Sequence, residues 1–152
     1  MSRIVYVNGE YAAEEEAKIS IFDRGFIFGD GVYEVVPVIS GKLVDRAYFL
    51  ERLERSLSEL SLIWPCSQRE YIDIMQELIS RNGLKEGIVY SQVTRGIADR
   101  DFAFPPNTPP TLVAFTSSMD LLENPQAETG ISIATSEDIR WKRRDIKSIN
   151  LL

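Results

Sequence analysis

The chain has 152 residues, room for one domain with a true core, because a chain of that size buries roughly 68–70% of the surface it exposes when unfolded. Its 17 basic and 23 acidic side chains give a net charge of −6, which offers no electrostatic footprint for a phosphate backbone and argues against a nucleic-acid partner. Zero histidines and a single cysteine, Cys66, exclude a Ser-His-Asp triad, a Cys-His pair and a closed zinc site, so proton transfer falls to Lys, Tyr, Asp, Glu or Cys66.

No window approaches the roughly 18 apolar residues that span a bilayer, and the opening MSRIVYVNGEY lacks the layout of a signal peptide. The chain therefore reads as cytoplasmic, with no membrane partner, and one cysteine fits a reducing compartment. Residues 3 to 7, RIVYV, enter Asn8-Gly9 as a strand enters a hairpin turn. EEEAK, at 14 to 18, reads as a solvated loop or edge, and ISIF, at 19 to 22, as a second short strand.

In FDRGFIFGDGVYEVVPVISGKLV, residues 22 to 44, the glycines at 25, 29 and 31 predict a tight or bulged excursion before VYEVVPVIS forms a strand. Pro37 gives that strand an irregular or edge position, and Gly41-Lys42 reads as a hairpin turn. From Arg46 to Leu60 the stripe Leu50, Leu53, Leu57 and Leu60 predicts an amphipathic helix, with Arg52 and Arg55 beside it. A second helix is capped by Ser67 with Glu70 three residues on, buries Tyr71, Ile72, Met75, Leu78 and Ile79, and ends at Asn82-Gly83.

Strands follow at 88 to 94 and 111 to 116, separated by the irregular RGIADRDFAFPPNTPP. The polar stretch 117 to 130 is a domain boundary, dividing 1–118 from 119–152, and ISIAT, at 131 to 135, is a further strand. Strands, two helices and strands in that order make an α+β chain.

The last stretch, RDIKSINLL, holds Lys147 between apolar residues. Its ordinary reading is a surface lysine whose stem lies along an apolar neighbour. The alternative is a Schiff-base lysine, which must be neutral, whereas at the usual pKa of about 10.4 only about one in a few thousand is neutral at pH 7. Ile146 and Ile149 offer desolvation, and Arg140, Lys142, Arg143 and Arg144 offer cationic neighbours, while Asp145 pulls the other way. Spacing leaves both readings open.

RWKRRDIKSINLL resembles the segment that carries the pyridoxal-phosphate lysine in class IV (fold-type IV) aminotransferases, most closely the D-amino-acid transaminases. YVNGEY, FDRGFIFGDGVYEVV, FLERLERS and YSQVTRGIADRDFAFP agree in the same order. The resemblance implies the small α+β N-terminal domain of those enzymes over 1–118, with a linker and the start of the cofactor-binding domain over 119–152. It implies a homodimer and ping-pong transamination between a D-amino acid and a 2-oxo acid, with pyridoxal 5'-phosphate as cofactor. Branched-chain aminotransferases and aminodeoxychorismate lyase share the layout, and a non-catalytic association module is the alternative outside enzymes.

Residue by residue, the resemblance implies that Lys147 holds the cofactor as an internal aldimine and shuttles a proton. It places Arg52 on the cofactor phosphate, where the ordinary reading is a helix-surface ion pair. Tyr33 matches a tyrosine that helps hold the substrate carboxylate, against the reading of a core-packed strand tyrosine, and alternation puts Val35 rather than Glu34 on the same face. Arg100 matches the arginine that traps the substrate α-carboxylate from a loop reaching into the neighbouring subunit, against a solvated loop arginine. Arg55 keeps its surface reading, and Arg95 matches a structural position.

Two departures modify these expectations. Phe102 stands where the D-amino-acid enzymes carry a histidine, and a phenyl ring neither donates a hydrogen bond nor carries charge. The donor range is therefore expected to shift toward apolar D-amino acids or primary amines. Family members also run on well beyond the lysine, and that half supplies the carboxylate opposite the pyridine nitrogen and much of the phosphate cup. The expectation is a truncated product, or a site completed by a second polypeptide, with little or no turnover from residues 1–152 alone.

Overall fold

The computed structural model describes residues 2–139, 142 and 145. Six strands form one antiparallel sheet, in the order β2 (Glu10–Ala13), β1 (Ile4–Val7), β6 (Thr111–Ser118), β5 (Glu86–Thr94), β3 (Gly31–Ile39) and β4 (Lys42–Leu43). The hairpin at Asn8-Gly9 forms as expected, with φ of 47° and 101° at the two turn residues. Two long helices, α2 (Arg46–Glu59) and α3 (Gln68–Arg81), pack on one sheet face and make the α+β architecture.

Strand alternation decides which side chains meet those helices. Val36, Val38, Val89, Val93 and Leu112 point inward against Leu53, Leu57, Tyr71, Met75 and Leu78, each buried aliphatic side chain contributing about 1.5–3 kcal/mol relative to exposure. The Ser67 hydroxyl accepts from the Glu70 N–H and starts α3. At the other end Asn82 donates to the carbonyls of Leu78 and Ile4 and accepts from the Ile4 N–H, so the helix cap also ties α3 to β1. In α2 the buried residues are Phe49, Leu53 and Leu57, with Leu50 partly buried. Leu60 is the C-cap, 42% exposed, because the helix ends before its turn comes round to the core.

Several local expectations are corrected. ISIF is not a strand: the carbonyl and hydroxyl of Ser20 take the N–H groups of Asp23 and Phe22, closing a turn, and Ile19, Ile21 and Phe22 stay exposed. The glycine-rich excursion is a helix, α1 (Arg24–Phe28), capped by Asp23 and ended by Gly29 at φ 66°. Gly25 has no alternative there, since a Cβ would lie 2.2 Å from Thr94 Cγ2. The second hairpin turns at Ser40-Gly41, one residue earlier than read from the sequence. β3 lies between β5 and β4, but β4 pairs only with Val38 and Ile39, so on that side Pro37 has no strand partner and its carbonyl accepts from the Val44 N–H just past β4. ISIAT carries no strand, its two isoleucines exposed and without a partner strand among the described residues, and the stretch before it holds a short helix, α4 (Pro125–Thr129).

Asp30, the single residue between α1 and β3 apart from the Gly29 cap, locks three segments together. Its carboxylate accepts from Arg24 Nε at 2.8 Å, Arg95 Nε at 2.8 Å and Arg95 Nη2 at 3.0 Å. Arg95 also donates to the carbonyls of Leu60 and Ser61, binding the end of α2, which agrees with its structural reading. The three side chains are 4–11% exposed.

Burial pushes the Asp30 carboxyl up, but the bonds and charges of Arg95 and Arg24 outweigh it and hold the group below its ordinary value near 3.8. The unfolded chain then binds this proton more readily than the folded one, so the contribution is present above about pH 4 and lost as pH falls through the depressed value. Urea unfolding at pH 6 and pH 3 should show a smaller difference in stability for Asp30→Asn than for the wild type. At pH 6 the variant should lose about 3–5 kcal/mol, the cost of breaking a buried pair.

Candidate active site

The sheet face opposite the helices carries Tyr33 and Val35, 64% and 37% exposed, while Glu34 between them is buried. The expected pairing of Tyr33 with Val35 on one face is the observed one. The Tyr33 ring stacks on Tyr90 at 5.8 Å, Tyr90 stacks on Phe115 at 4.8 Å, and the Arg3 guanidinium lies 5.2 Å from the Phe115 ring centre. This ladder runs across β3, β5 and β6 because Val35 pairs with Tyr90 and Tyr90 with Phe115. Beside it a groove of about 460 Å³ is lined by Val7, Lys18, Tyr90, Gln92, Val113 and Phe115.

Arg52 reaches the same strand from the helix side. Its Nε and Nη2 bond the two oxygens of Glu34 at 2.8 and 2.5 Å, a fork-to-fork pair. The arginine side chain is 56% exposed and the glutamate 3%, so Nη1 and the outer edge of the fork face solvent. The ion pair of the ordinary reading therefore exists, and it leaves donors over. Behind Glu34, Ser91 is its cross-strand neighbour and shares a hydrogen bond with the Tyr71 hydroxyl. Burial raises the Tyr71 pKa, so that hydroxyl stays protonated.

Arg100 lies in a separate cluster. Its guanidinium sits 5.5 Å from the Phe28 ring centre and 5.2 Å from that of Phe102, and it makes no hydrogen bond or ion pair among the described residues. The Phe28 and Phe102 rings are 5.8 Å apart. Arg55 is exposed on α2, as expected. Lys147 lies outside the described residues. Cys66 is a poor acid or nucleophile: burial first, and Glu70 second, push its thiol up to about 11.

Sequence reasoning missed Glu34 as the partner of Arg52, and Asp30 and Arg24 as the anchor of the Arg100 loop. A signal existed for the first, a carboxylate on the inward beat of an otherwise apolar strand. For the second, only the third dimension brings Arg24 beside Asp101.

The amino-transferase class IV family model matches residues 31–152. D-alanine aminotransferase of Staphylococcus haemolyticus is 45% identical over 149 residues, 97% of this chain and 52% of that protein. The chain thus spans about half the length of the curated relatives it matches. Among solved structures, the branched-chain amino acid aminotransferase of Escherichia coli superposes with a TM-score of 0.74 at 15% identity, covering 84% of this chain and 43% of that one. The 4-amino-4-deoxychorismate lyase of Pseudomonas aeruginosa gives 0.61 at 22% identity, covering 91% and 43%. At these identities the two structures establish the shared fold, that of the fold-type IV enzymes, and the family match establishes the rest: the chain belongs to the class IV aminotransferases.

Proposed function

We infer that the protein carrying this chain transfers an amino group from a D-amino acid to a 2-oxo acid with pyridoxal 5'-phosphate. The observation that carries this reading is the 45% identity to a D-alanine aminotransferase along 97% of the chain. The branched-chain and lyase readings rest on structures below 25% identity, which share the fold alone. No helix among the described residues is long and apolar enough to cross a membrane, which is compatible with an enzyme of the cytoplasm.

The residues present fit the cofactor. Arg52 offers a solvent-facing guanidinium edge already held in place by Glu34, suited to a phosphate oxygen. Lys147, at the position the resemblance assigns, would hold the cofactor covalently and move the proton at the substrate Cα. When bound, the cofactor supplies the electron sink for that carbon. Tyr33 and Val35 face the substrate from the open side of β3, the hydroxyl toward its carboxylate. Arg100 supplies a second carboxylate contact from the neighbouring subunit, a role supported by a guanidinium that rests on the Phe28 and Phe102 rings and makes no hydrogen bond among the described residues. A homodimer is further supported by exposed apolar residues around α1, with Phe22, Phe26 and Ile97 each at least half exposed.

Borohydride reduction of the intact protein with added pyridoxal phosphate should leave one adduct per chain, mapped to Lys147. Arg52→Lys, which keeps a charge beside Glu34 but loses the fork, should weaken cofactor binding about tenfold or more. Adducts scattered over several lysines would instead favour a non-catalytic association module.

Initial rates with D-alanine, D-glutamate and an (R)-aryl-ethylamine read the effect of Phe102. D-alanine or the amine should exceed D-glutamate, and a clear D-glutamate preference would sink the shifted donor range. Sedimentation should give a dimer that Phe26→Glu dissociates.

A further inference from the structure

The site assigned above needs Arg100 and Phe102 in one pose, yet they sit on an irregular segment between β5 and β6. Among the described residues, four hydrogen bonds tie that segment to the turn around α1, while the Phe104 ring near its end also rests 4.0 Å from the Arg95 guanidinium. The Arg24 N–H donates to the Gly96 carbonyl at 2.8 Å, and the Ala98 N–H donates to the Phe22 carbonyl at 3.2 Å. Arg24 Nη1 donates to the carbonyls of Asp101 at 2.7 Å and Ala103 at 3.4 Å. The last two bonds bracket Phe102 and begin one residue after Arg100.

Arg24 can hold those carbonyls only if its own fork is fixed. Asp30 does this by accepting from Nε, the edge of the guanidinium away from the loop. The same arginine stacks 4.7 Å from the Phe28 ring centre, and Arg100 stacks on that ring as well at 5.5 Å. Asp30 is thus connected to Arg100 by a backbone bond and by a shared aromatic ring, and to Tyr33 by the first residues of β3.

We propose that Asp30, acting through Arg24 and Phe28, is the positioning residue that sets the pose of Arg100 and Phe102 and so the discrimination of substrate carboxylates. It touches neither substrate nor cofactor. The inference rests on the transaminase reading for its substrate, but the mechanical claim, that the Asp30–Arg24 pair holds residues 96–104, stands apart from it.

The test uses the intact protein with Arg24→Lys, which keeps the buried positive charge but cannot bond Asp30 and the Asp101 carbonyl as a fork. Amide exchange within residues 98–104 should accelerate about tenfold, the size of one lost charge-assisted bond, while β5 and β6 keep their protection. KM for a D-amino acid should rise about tenfold with kcat within about twofold, and KM for a primary amine lacking a carboxylate should not move. Where the lysine prevents folding, Phe28→Leu removes the shared ring without burying a new charge, and the same readouts apply. Unchanged exchange in 98–104, or equal acceleration throughout the sheet, overturns the clamp. An equal rise of KM for the amine overturns the carboxylate role. If the wild type shows no transamination, the proposed function fails while the exchange result still decides the clamp.

Discussion

The nine-residue pairing of β3 with β5, from Gly31 opposite Thr94 to Ile39 opposite Glu86, sets the geometry of nearly everything else. Once that register is fixed, alternation sends Glu34, Val36 and Val38 to the helices and Tyr33 and Val35 to the open face. It brings Asp30, just before the first pair, against Arg95, just after it, where the Arg95 N–H also donates to the Asp30 carbonyl. A slip of one residue would bury Tyr33 and Val35, expose Glu34 and separate the ion pair. The core, the arginine lock and the candidate substrate face therefore coexist in this register and in no other.

Glu34 illustrates how that constraint converts a stability cost into orientation. A carboxylate on an apolar face is expensive unless it is paired, and Arg52 pairs it from α2 with both oxygens engaged. The arginine side chain stays more than half exposed, so solvent screens part of the attraction between the two charges. The pair's effect is to remove the rotamer freedom of a long side chain and aim the unused edge. For a residue proposed to hold a phosphate, that is preorganisation: the ordering entropy is spent on folding rather than on binding.

The sequence made the sheet and the two long helices readable because each carries a periodic stripe or an explicit cap. Ser67, Asn82 and the leucines of α2 signal their elements locally. The failures are short. Five residues of α1 make too little of a turn pattern to compete with three glycines, and ISIF and ISIAT have strand alternation without an edge to pair with among the described residues. For the site, alternation placed Val35 with Tyr33, and the resemblance carried by FLERLERS, not its spacing, singled out Arg52. Neither predicts that Arg52 is held by Glu34, since the two lie far apart along the chain and meet only when α2 packs on β3.

Phe102 looks at first like the loss of a polar ligand, but its surroundings give it a different task. Arg100 is flanked by two rings, Phe28 and Phe102, neither of which takes a hydrogen bond from its N–H groups. Cation–π contact holds the plane of a guanidinium and leaves its donor edge free. Arg24 and Arg95, within the same cluster, show the contrasting case: their donors are consumed by Asp30 and by backbone carbonyls, and both are buried. Three arginines around one group of aromatic rings thus divide into two that build the loop and one that makes no hydrogen bond among the described residues. A histidine at position 102 would add a donor for a carboxylate, whereas a phenylalanine adds only a wall, so in the proposed function a pocket built from Arg100 and Phe102 would grip one carboxylate and favour an apolar remainder.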